Sequence, residues 1–369
     1  MKVKEFAQQI LAEADIKING KRSWDIQVYD ERFYDCVLRN GSLGLGESYM
    51  DRWWDVECLD EFTTRLLRAK IDKKVRRKDL FWNGLKAQVM NLQSQSRAFI
   101  VGEKHYDVGN DLYERMLDKR LTYTCGYWKN AKNLDEAQEA KLDLVCKKIG
   151  LKRGMSVLDI GCGWGSFAKY AAEKYKARVF GITISKEQVK VAEERCKGLD
   201  VEICLQDYRD VDEQFDRVIS LGMFEHVGHK NYRTYMEVVN RCLKEKGFFL
   251  LHTIGMNRSV KHFDPWLDKY IFPNALIPSV KQIAESVENI FVMEDWHNFG
   301  SDYDKTLLVW FANFKKNWPL LKGKYDERFF RMWKYYLLTC AGTFRARENQ
   351  LWQIIFSKGA VPGGYQSIR

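Results

Sequence analysis

The sequence has few prolines, five in 369 residues, and it contains no low-complexity tract or internal repeat. These absences argue against long disordered segments. No apolar run approaches the roughly 18–20 residues of a membrane-spanning helix. The first residues, MKVKEFAQQILAEADIKING, predict a short amphipathic helix and not a secretory signal, because acids interrupt each apolar run. We therefore expect a protein that is soluble or peripherally bound to a membrane.

Paired cysteines and metal-ligand spacings are also missing. The nine cysteines are scattered singly, without a CxxC pair, and the six histidines are dispersed. An odd, unpatterned set of thiols indicates reduced cysteines in a cytoplasmic protein and argues against a structural zinc site. The sequence predicts no metal ion.

Positive charge is in excess and unevenly placed. The net charge is +10, and residues 65–78 (RLLRAKIDKKVRRK) carry eight basic side chains against one aspartate. From Lys305 onward, basic residues again outnumber acids. A solvated helix face is the simplest interpretation. The density of charge leaves two anionic partners open, a phospholipid surface or a nucleic acid.

The pattern along the chain predicts two domains joined by a linker. Residues 1–92 read as mainly helical, with a loop rich in glycine and tryptophan at 39–54, and residues 93–108 have the composition of a linker. Within 109–369, strands and helices alternate from about residue 150. This rhythm predicts an α/β fold with a doubly wound parallel sheet, whose ligands bind beyond the carboxyl ends of the strands.

A glycine-rich turn follows the first predicted strand of that sheet. In VLDIGCGWG (157–165), Gly161 and Gly163 let the backbone approach a ligand closely, and Asp159 stands just before the turn. A plain tight turn is the simplest alternative, and a dinucleotide site is another. Against the dinucleotide, the third glycine comes two residues after the second, not three, and the next strand ends in GITIS without an acid for a ribose.

The turn resembles motif I of the class I S-adenosylmethionine-dependent methyltransferases, which have a Rossmann-like fold. The resemblance implies that Asp159 and the turn lie at the amino-acid end of the methyl donor, that polar groups after the second strand serve its ribose, and that residues after the third strand meet its adenine. The implied donor-binding residues are Asp159, Gly161, Cys162, Gly163, Thr183, Gln188, Gln206, Asp207 and Tyr208.

Two signatures of nucleic-acid methyltransferases are absent. The chain has neither (D/N/S)PP(Y/F), typical of amino-methylating enzymes, nor the Pro-Cys pair of pyrimidine methyltransferases. A nucleic-acid acceptor is therefore disfavoured despite the positive charge, and no nucleic-acid partner is expected.

A longer resemblance covers the chain from near residue 10 to near residue 356. Its blocks resemble the bacterial cyclopropane-fatty-acyl-phospholipid synthases, relatives of the mycolic acid cyclopropane synthases: GSLGLGESYMDRWW, HYDVGNDLYERMLD, YTCGYW, VLDIGCGWG, GMFEHVG, LLHTIG, DPWLDKYIFPN, MEDWHNFGSDYDKTL and CAGTFRARENQLWQ. The resemblance implies that the enzyme transfers a methyl group to a cis double bond of a phospholipid acyl chain and closes a cyclopropane ring.

The same resemblance assigns roles to individual residues. It implies a bound bicarbonate that accepts the proton released on ring closure, with ligands Cys125, Glu225, His252, Ile254 and Tyr303. Tyr123 and Thr124 would close over the donor. Cys340, in another family block, is a candidate catalytic thiol, although alkene methylation needs no thiol and a structural role is favoured. The alternatives that leave the resemblance aside are a core residue for Cys125 and for His252, and an exposed loop residue for Tyr303.

The predicted partners and location follow from this assignment. We expect unsaturated phospholipids as substrates, a homodimer, and a cytoplasmic protein bound to the inner face of the cell membrane. The 1–92 region and the basic run at 65–78 would contact the membrane, or pack as a dimerisation domain. Two alternatives stay open. One is a related lipid or small-molecule methyltransferase. The other is a non-catalytic membrane-binding protein with a residual donor site, which the intact Glu225, His252 and Tyr303 oppose.

Overall fold

The computed structural model describes residues 3–71 and 109–369. The predicted linker at 93–108 and the second half of the basic run, 72–78, lie outside these residues. The helices are α1 (Val3–Glu13), α2 (Arg32–Met50), α3 (Leu59–Arg68), α4 (Asn110–Met116), α5 (Leu134–Lys148), α6 (Ser166–Tyr170), α7 (Lys186–Cys196), α8 (Tyr232–Cys242), α9 (Pro265–Tyr270), α10 (Val280–Val287), α11 (Ser301–Leu321) and α12 (Glu327–Arg345).

The strands form two sheets: a pair of two-residue strands near the amino terminus and a seven-stranded sheet. They are β1 (Gln27–Val28), β2 (Trp54–Asp55), β3 (Ser156–Ile160), β4 (Arg178–Thr183), β5 (Val201–Leu205), β6 (Phe215–Leu221), β7 (Leu243–Met256), β8 (Val292–Asn298) and β9 (Asn349–Ser357). Within residues 3–71 and 109–369, no helix is long and apolar enough to cross a membrane.

The chain divides into two compact units that are not continuous in sequence. Among the described residues, the helical unit contains 3–71, Lys261–Pro273 and Tyr303–Asn349, and the sheet unit contains 109–260, Asn274–Asp302 and Gln350–Arg369. The boundaries thus differ from the predicted continuous region over 109–369.

Contacts inside the helical unit explain why late segments pack with early ones. A Cβ atom at Gly342 in α12 would lie 2.6 Å from the Asp60 carbonyl oxygen in α3, so only glycine permits this approach. Arg345 then forms ion pairs with Asp60 and Asp304, at 2.6 and 2.9 Å. Helices far apart in sequence therefore meet here.

The glycine-rich stretch at 39–54 is largely helical, so the predicted loop is wrong. Helix α2 continues through it to Met50, with non-helical backbone at Gly41 (φ 55°, ψ −129°). Glycine disfavours helix in isolation. Here tertiary packing requires it, because a Cβ atom at Gly46 would lie 2.2 Å from the Trp266 indole. The predicted amino-terminal helix is confirmed as α1.

The sheet unit confirms the predicted doubly wound α/β fold. Its strand order is β5-β4-β3-β6-β7-β9-β8, and the pairs β3–β4, β4–β5, β3–β6 and β6–β7 are parallel. The last two strands, β8 and β9, pair antiparallel and were not predicted. Neighbouring residues of β3 enter opposite cores, since Val157 and Leu158 belong to different apolar clusters. The order reverses between β3 and β6, where a ligand site is expected.

Candidate active site

The glycine turn after β3 is shaped for close approach. Gly161, Gly163 and Gly165 have φ values of 85°, 55° and 74°, a region that favours glycine. A Cβ atom at Gly161 would lie 2.8 Å from the Cβ of Met223, which follows β6. The turn therefore brings the backbone ends of β3 and β6 together at the point where the strand order reverses.

Asp159 lies at this point as a buried carboxyl group with an unused acceptor. Its side chain is 1% exposed, and its Oδ2 atom has no hydrogen-bond partner. Burial raises the pKa of Asp159 to about 7, against the opposing effect of the Lys141 charge. A buried acceptor without a partner is costly, which is typical of a group that meets a ligand.

Lys141 is a site residue that sequence reasoning missed. It lies in α5 and is fully buried, and its Nζ donates to Thr124 Oγ1 at 2.8 Å. Burial lowers the pKa of Lys141 to about 8, with the charges of Asp118, Cys125 and Asp159 opposing. Thr124 also packs on the end of β6, because a Cβ atom at Gly222 would lie 2.6 Å from its methyl group. The one available signal was the helical spacing of Lys141 from Ala137 and Val145, both apolar.

We expect Lys141 and Thr124 to behave as a coupled pair. In a double-mutant cycle, Lys141→Met and Thr124→Val should show a coupling energy of about 1.5–3 kcal/mol, the range for a hydrogen bond to a charged group. Denaturant unfolding of the wild type, both single variants and the double variant measures it. Effects that add to within about 0.5 kcal/mol would mean that the hydrogen bond contributes nothing.

Aromatic side chains line the approach to the turn. The Tyr123 ring contacts Tyr113 in α4 at 5.1 Å between centroids, and Tyr113 contacts Trp164 of the turn at 4.8 Å. Trp164 Nε1 donates to Asn110 Oδ1 at 3.1 Å, which ties α4 to the turn. Tyr123 therefore lies near the predicted donor site, together with two aromatic residues that sequence reasoning did not select.

The other predicted donor residues follow the neighbouring strands. Thr183, at the end of β4, donates its hydroxyl to Gln188 Oε1 at 2.7 Å, and both side chains are buried. Beyond β5, Gln206 Nε2 donates to the Asp210 carbonyl and Asp207 accepts from Arg209 at 3.0 Å, whereas the buried Tyr208 hydroxyl has no partner. The thiol of Cys162 packs in the apolar core near Gly181, so only its backbone can meet a ligand.

Glu225 lies in a 3₁₀ turn directly beyond β6 and reaches across to β7. It is 7% exposed, and its Oε1 atom accepts the Ile254 backbone N–H at 2.7 Å. Its Oε2 atom is buried without a partner. Burial raises the pKa of Glu225 to about 7, which the Ile254 hydrogen bond partly opposes.

His252 stands on the strand that Glu225 contacts. It pairs with Leu221 of β6 and is 1% exposed. The Gln353 amide lies 3.4 Å from its Nδ1, and its Nε2 atom has no partner. Burial, together with the Lys141 and Lys148 charges, lowers the pKa of His252 well below its ordinary value. The imidazole is therefore a neutral donor at physiological pH.

Ile254 belongs to this group through its hydrogen bond to Glu225, and two predicted residues do not belong to the sheet unit. Cys125 is fully buried and donates to the Gly126 carbonyl at 3.1 Å. Tyr303 and Cys340 lie in the helical unit, so their place in the site stays a prediction. Tyr303 is buried in α11 against Phe344, at 4.6 Å between ring centroids, and is not an exposed loop residue. Burial and the Asp264 charge raise the pKa of Cys340 to about 12, so its thiol stays protonated.

The unpartnered atoms suit a small oxyanion that carries an O–H group. Glu225 Oε2 can accept from such a group, and His252 Nε2 can donate to an oxygen. The Phe299 ring lies 5.9 Å from the His252 ring and contributes an apolar wall. The residues present therefore fit the bicarbonate ion that the sequence resemblance implied.

Comparison with known proteins gives consistent results. A family model described as mycolic acid cyclopropane synthetase matches residues 93–354. The chain is 56% identical over 360 residues to the cyclopropane-fatty-acyl-phospholipid synthase of Escherichia coli K12, covering 97% of this chain and 94% of that protein. Among solved structures, it resembles the cyclopropane synthase MmaA2 from Mycobacterium tuberculosis (28% identity) and the mycolic acid cyclopropane synthase CmaA1 complexed with SAH and CTAB (31% identity). Each match has a TM-score of 0.66 and covers 70% of this chain and 98% of the other.

Proposed function

This chain belongs to the mycolic acid cyclopropane synthetase family, and on that premise we propose that it converts cis double bonds of phospholipid acyl chains into cyclopropane rings. It has the Rossmann-like fold of the class I S-adenosylmethionine-dependent methyltransferases and is an enzyme of that group. The observation that carries the finer proposal is the pair of unpartnered atoms, Glu225 Oε2 in the turn beyond β6 and His252 Nε2 on the adjacent strand β7, beside the last residue of β6.

The methyl donor is proposed to be S-adenosylmethionine, bound at the turn after β3. The SAH bound in the related CmaA1 structure supports this choice, since SAH is the donor without its methyl group. The buried Asp159 carboxylate would meet the donor's ammonium group, and Lys141 would hold the Thr124 segment in place. These residues would hold the donor, which would supply the methyl group.

The acceptor chemistry explains why Glu225 has no nucleophile beside it. The alkene would attack the donor's methyl carbon with its own π electrons. The bond between that carbon and the sulfonium sulfur would break and SAH would leave, with a cationic centre on the second alkene carbon. A C–H bond of the new methyl group then supplies its electron pair to close the ring, and a proton leaves. Buried apolar walls such as Phe299 exclude the water that would trap the cation.

Glu225 and His252 are proposed to hold a bicarbonate ion, together with Cys125, Ile254 and Tyr303. When bound, bicarbonate supplies the weak base that such an acidic intermediate needs. Glu225 orients its O–H group as an acceptor, and neutral His252 donates to an oxygen. The Gln353 amide contacts the Nδ1 atom of the same ring at 3.4 Å.

The enzyme is further proposed to act as a homodimer at the inner surface of the cell membrane. The lipid substrate requires contact with a bilayer, and the excess of positive charge suits an anionic surface.

A lipid assay tests the proposed function. The purified protein is incubated with S-adenosylmethionine, bicarbonate and vesicles of a cis-monounsaturated phospholipid, and the released fatty acids are analysed by chromatography and mass spectrometry. We expect a product heavier by one CH2 that resists hydrogenation and whose yield falls when bicarbonate is depleted. A heavier product that keeps its double bond would instead identify a lipid methyltransferase. Donor binding without any modified lipid would contradict the proposal.

A further inference from the structure

One stretch of the helical unit carries positive charge without any balancing acid. Between Asp304 and Asp326 there is no acidic residue, while lysine occurs at 305, 315, 316, 322 and 324. The last four lie in the final turns of α11 and just beyond its end. We call Lys315–Lys324 the lysine tip.

The lysine tip presents its charges and one apolar side chain to solvent. Lys315, Lys316 and Lys322 are exposed, and none of the three forms an ion pair with the described residues. Leu320 is 65% exposed, an unusual exposure for a leucine. Because Lys316 and Leu320 are four residues apart in one helix, they lie on the same face.

Aromatic packing holds the lysine tip in shape. Trp318 is half-buried, and its ring contacts Phe314 and Phe330 with centroids 5.5 and 4.9 Å apart. Its indole N–H donates to Glu327 at 3.4 Å. This packing therefore fixes the position of the helix end that bears the exposed leucine and lysines.

We propose that the lysine tip is a docking surface for an anionic phospholipid bilayer. The inference rests on the proposed function, since an enzyme that modifies acyl chains must contact the bilayer. Lys315, Lys316 and Lys322, which form no ion pair with the described residues, attract anionic headgroups, and the exposed Leu320 enters the headgroup boundary. A nucleic acid would satisfy the charges and leave Leu320 in water, so a lipid surface fits better. This surface differs from the basic run at 65–78.

Vesicle sedimentation with matched variants tests the proposal. Lys315, Lys316 and Lys322 are replaced together by glutamine, and the control replaces Lys152, Lys174 and Lys176, which are equally exposed and lie in the sheet unit. Both variants lose the same charge. We expect the tip variant to lose about tenfold or more in affinity for phosphatidylglycerol vesicles, and the control to change much less. Leu320→Ser should weaken binding further at equal charge.

The readouts separate this inference from the proposed function. Sedimentation needs no turnover, so it reports on the lysine tip even if no lipid is modified. If the wild type is active, the tip variant should keep its turnover of phospholipid dispersed in detergent, where no bilayer is needed. Equal vesicle affinity of tip variant and control would overturn the inference. So would tip-dependent binding of single-stranded nucleic acid without tip-dependent binding of vesicles.

Discussion

Glu225→Gln is expected to abolish ring formation while making the protein more stable at neutral pH. The amide matches the carboxylate in shape but offers an N–H group where the proposed site needs an acceptor. A misplaced or lost base at this position should lower turnover by about a hundredfold or more. Product analysis of the variant beside the wild type measures this loss.

The gain in stability follows from the direction of the pKa shift. Burial raises the pKa of Glu225 from 4.5 to about 7, so between these values the folded state holds the proton more tightly than the unfolded state. Stability is therefore lost as the pH rises through this window, and above pH 7 the cost is roughly 3 kcal/mol at about 1.4 kcal/mol per unit. Glutamine never ionises, so the variant should not lose this stability as the pH rises.

Unfolding at several pH values tests the linkage. The stability advantage of Glu225→Gln should be largest above pH 7 and vanish near pH 4.5. The control is Glu285→Gln, at an exposed glutamate paired with Lys281 in α10, which should change stability little at any pH. The variant could instead be inactive and differ in stability from the wild type by the same amount at all pH values. That result would mean that folding does not raise the pKa of Glu225.

Asp159→Asn is expected to weaken donor binding by about tenfold to a hundredfold, the effect of losing a hydrogen bond between charged groups. The unpartnered Oδ2 atom is the reason, because its carboxylate charge is available to the donor's ammonium group. Calorimetric titration with S-adenosylmethionine measures the affinity without catalysis. The control is Asp216→Asn, at the opposite end of the sheet, where the aspartate already pairs with Ser156 and Lys244.

The pH dependence of the same titration gives a second test. Burial raises the pKa of Asp159 to about 7, so below this value the free carboxyl group is protonated. Donor affinity of the wild type should then fall as the pH drops below 7, by up to about tenfold per unit, and that of Asp159→Asn should not. If Asp159→Asn binds S-adenosylmethionine as tightly as the wild type does, Asp159 does not contact the donor and its role is structural.

Long, periodic segments of the sheet unit could be predicted from the sequence. The strands β3 to β7 are rich in apolar residues, and the helices between them alternate with these strands in a regular rhythm, so local pattern and final fold agree. The glycine turn could also be predicted from the sequence, because Gly161 and Gly163 adopt backbone angles that other residues avoid. The positions of Glu225 and His252 followed from the resemblance of short motifs to a known family.

Other features depended on contacts between distant residues. Helix α2 runs through a glycine-rich stretch because Trp266, more than 200 positions later, packs against Gly46. Lys141 and Gln353 join the site only because α5 and β9 bring them beside Thr124 and His252.

By itself, the sequence determined the class of fold, the donor turn and the residue types for the proposed chemistry, because these depend on local periodicity, backbone angles and side-chain composition. Only the tertiary structure decided which atoms of those residues lack partners and which pKa values shift. Burial and hydrogen bonding are properties of the packed chain, and no local pattern encodes that Glu225 Oε2 and His252 Nε2 are left for a ligand.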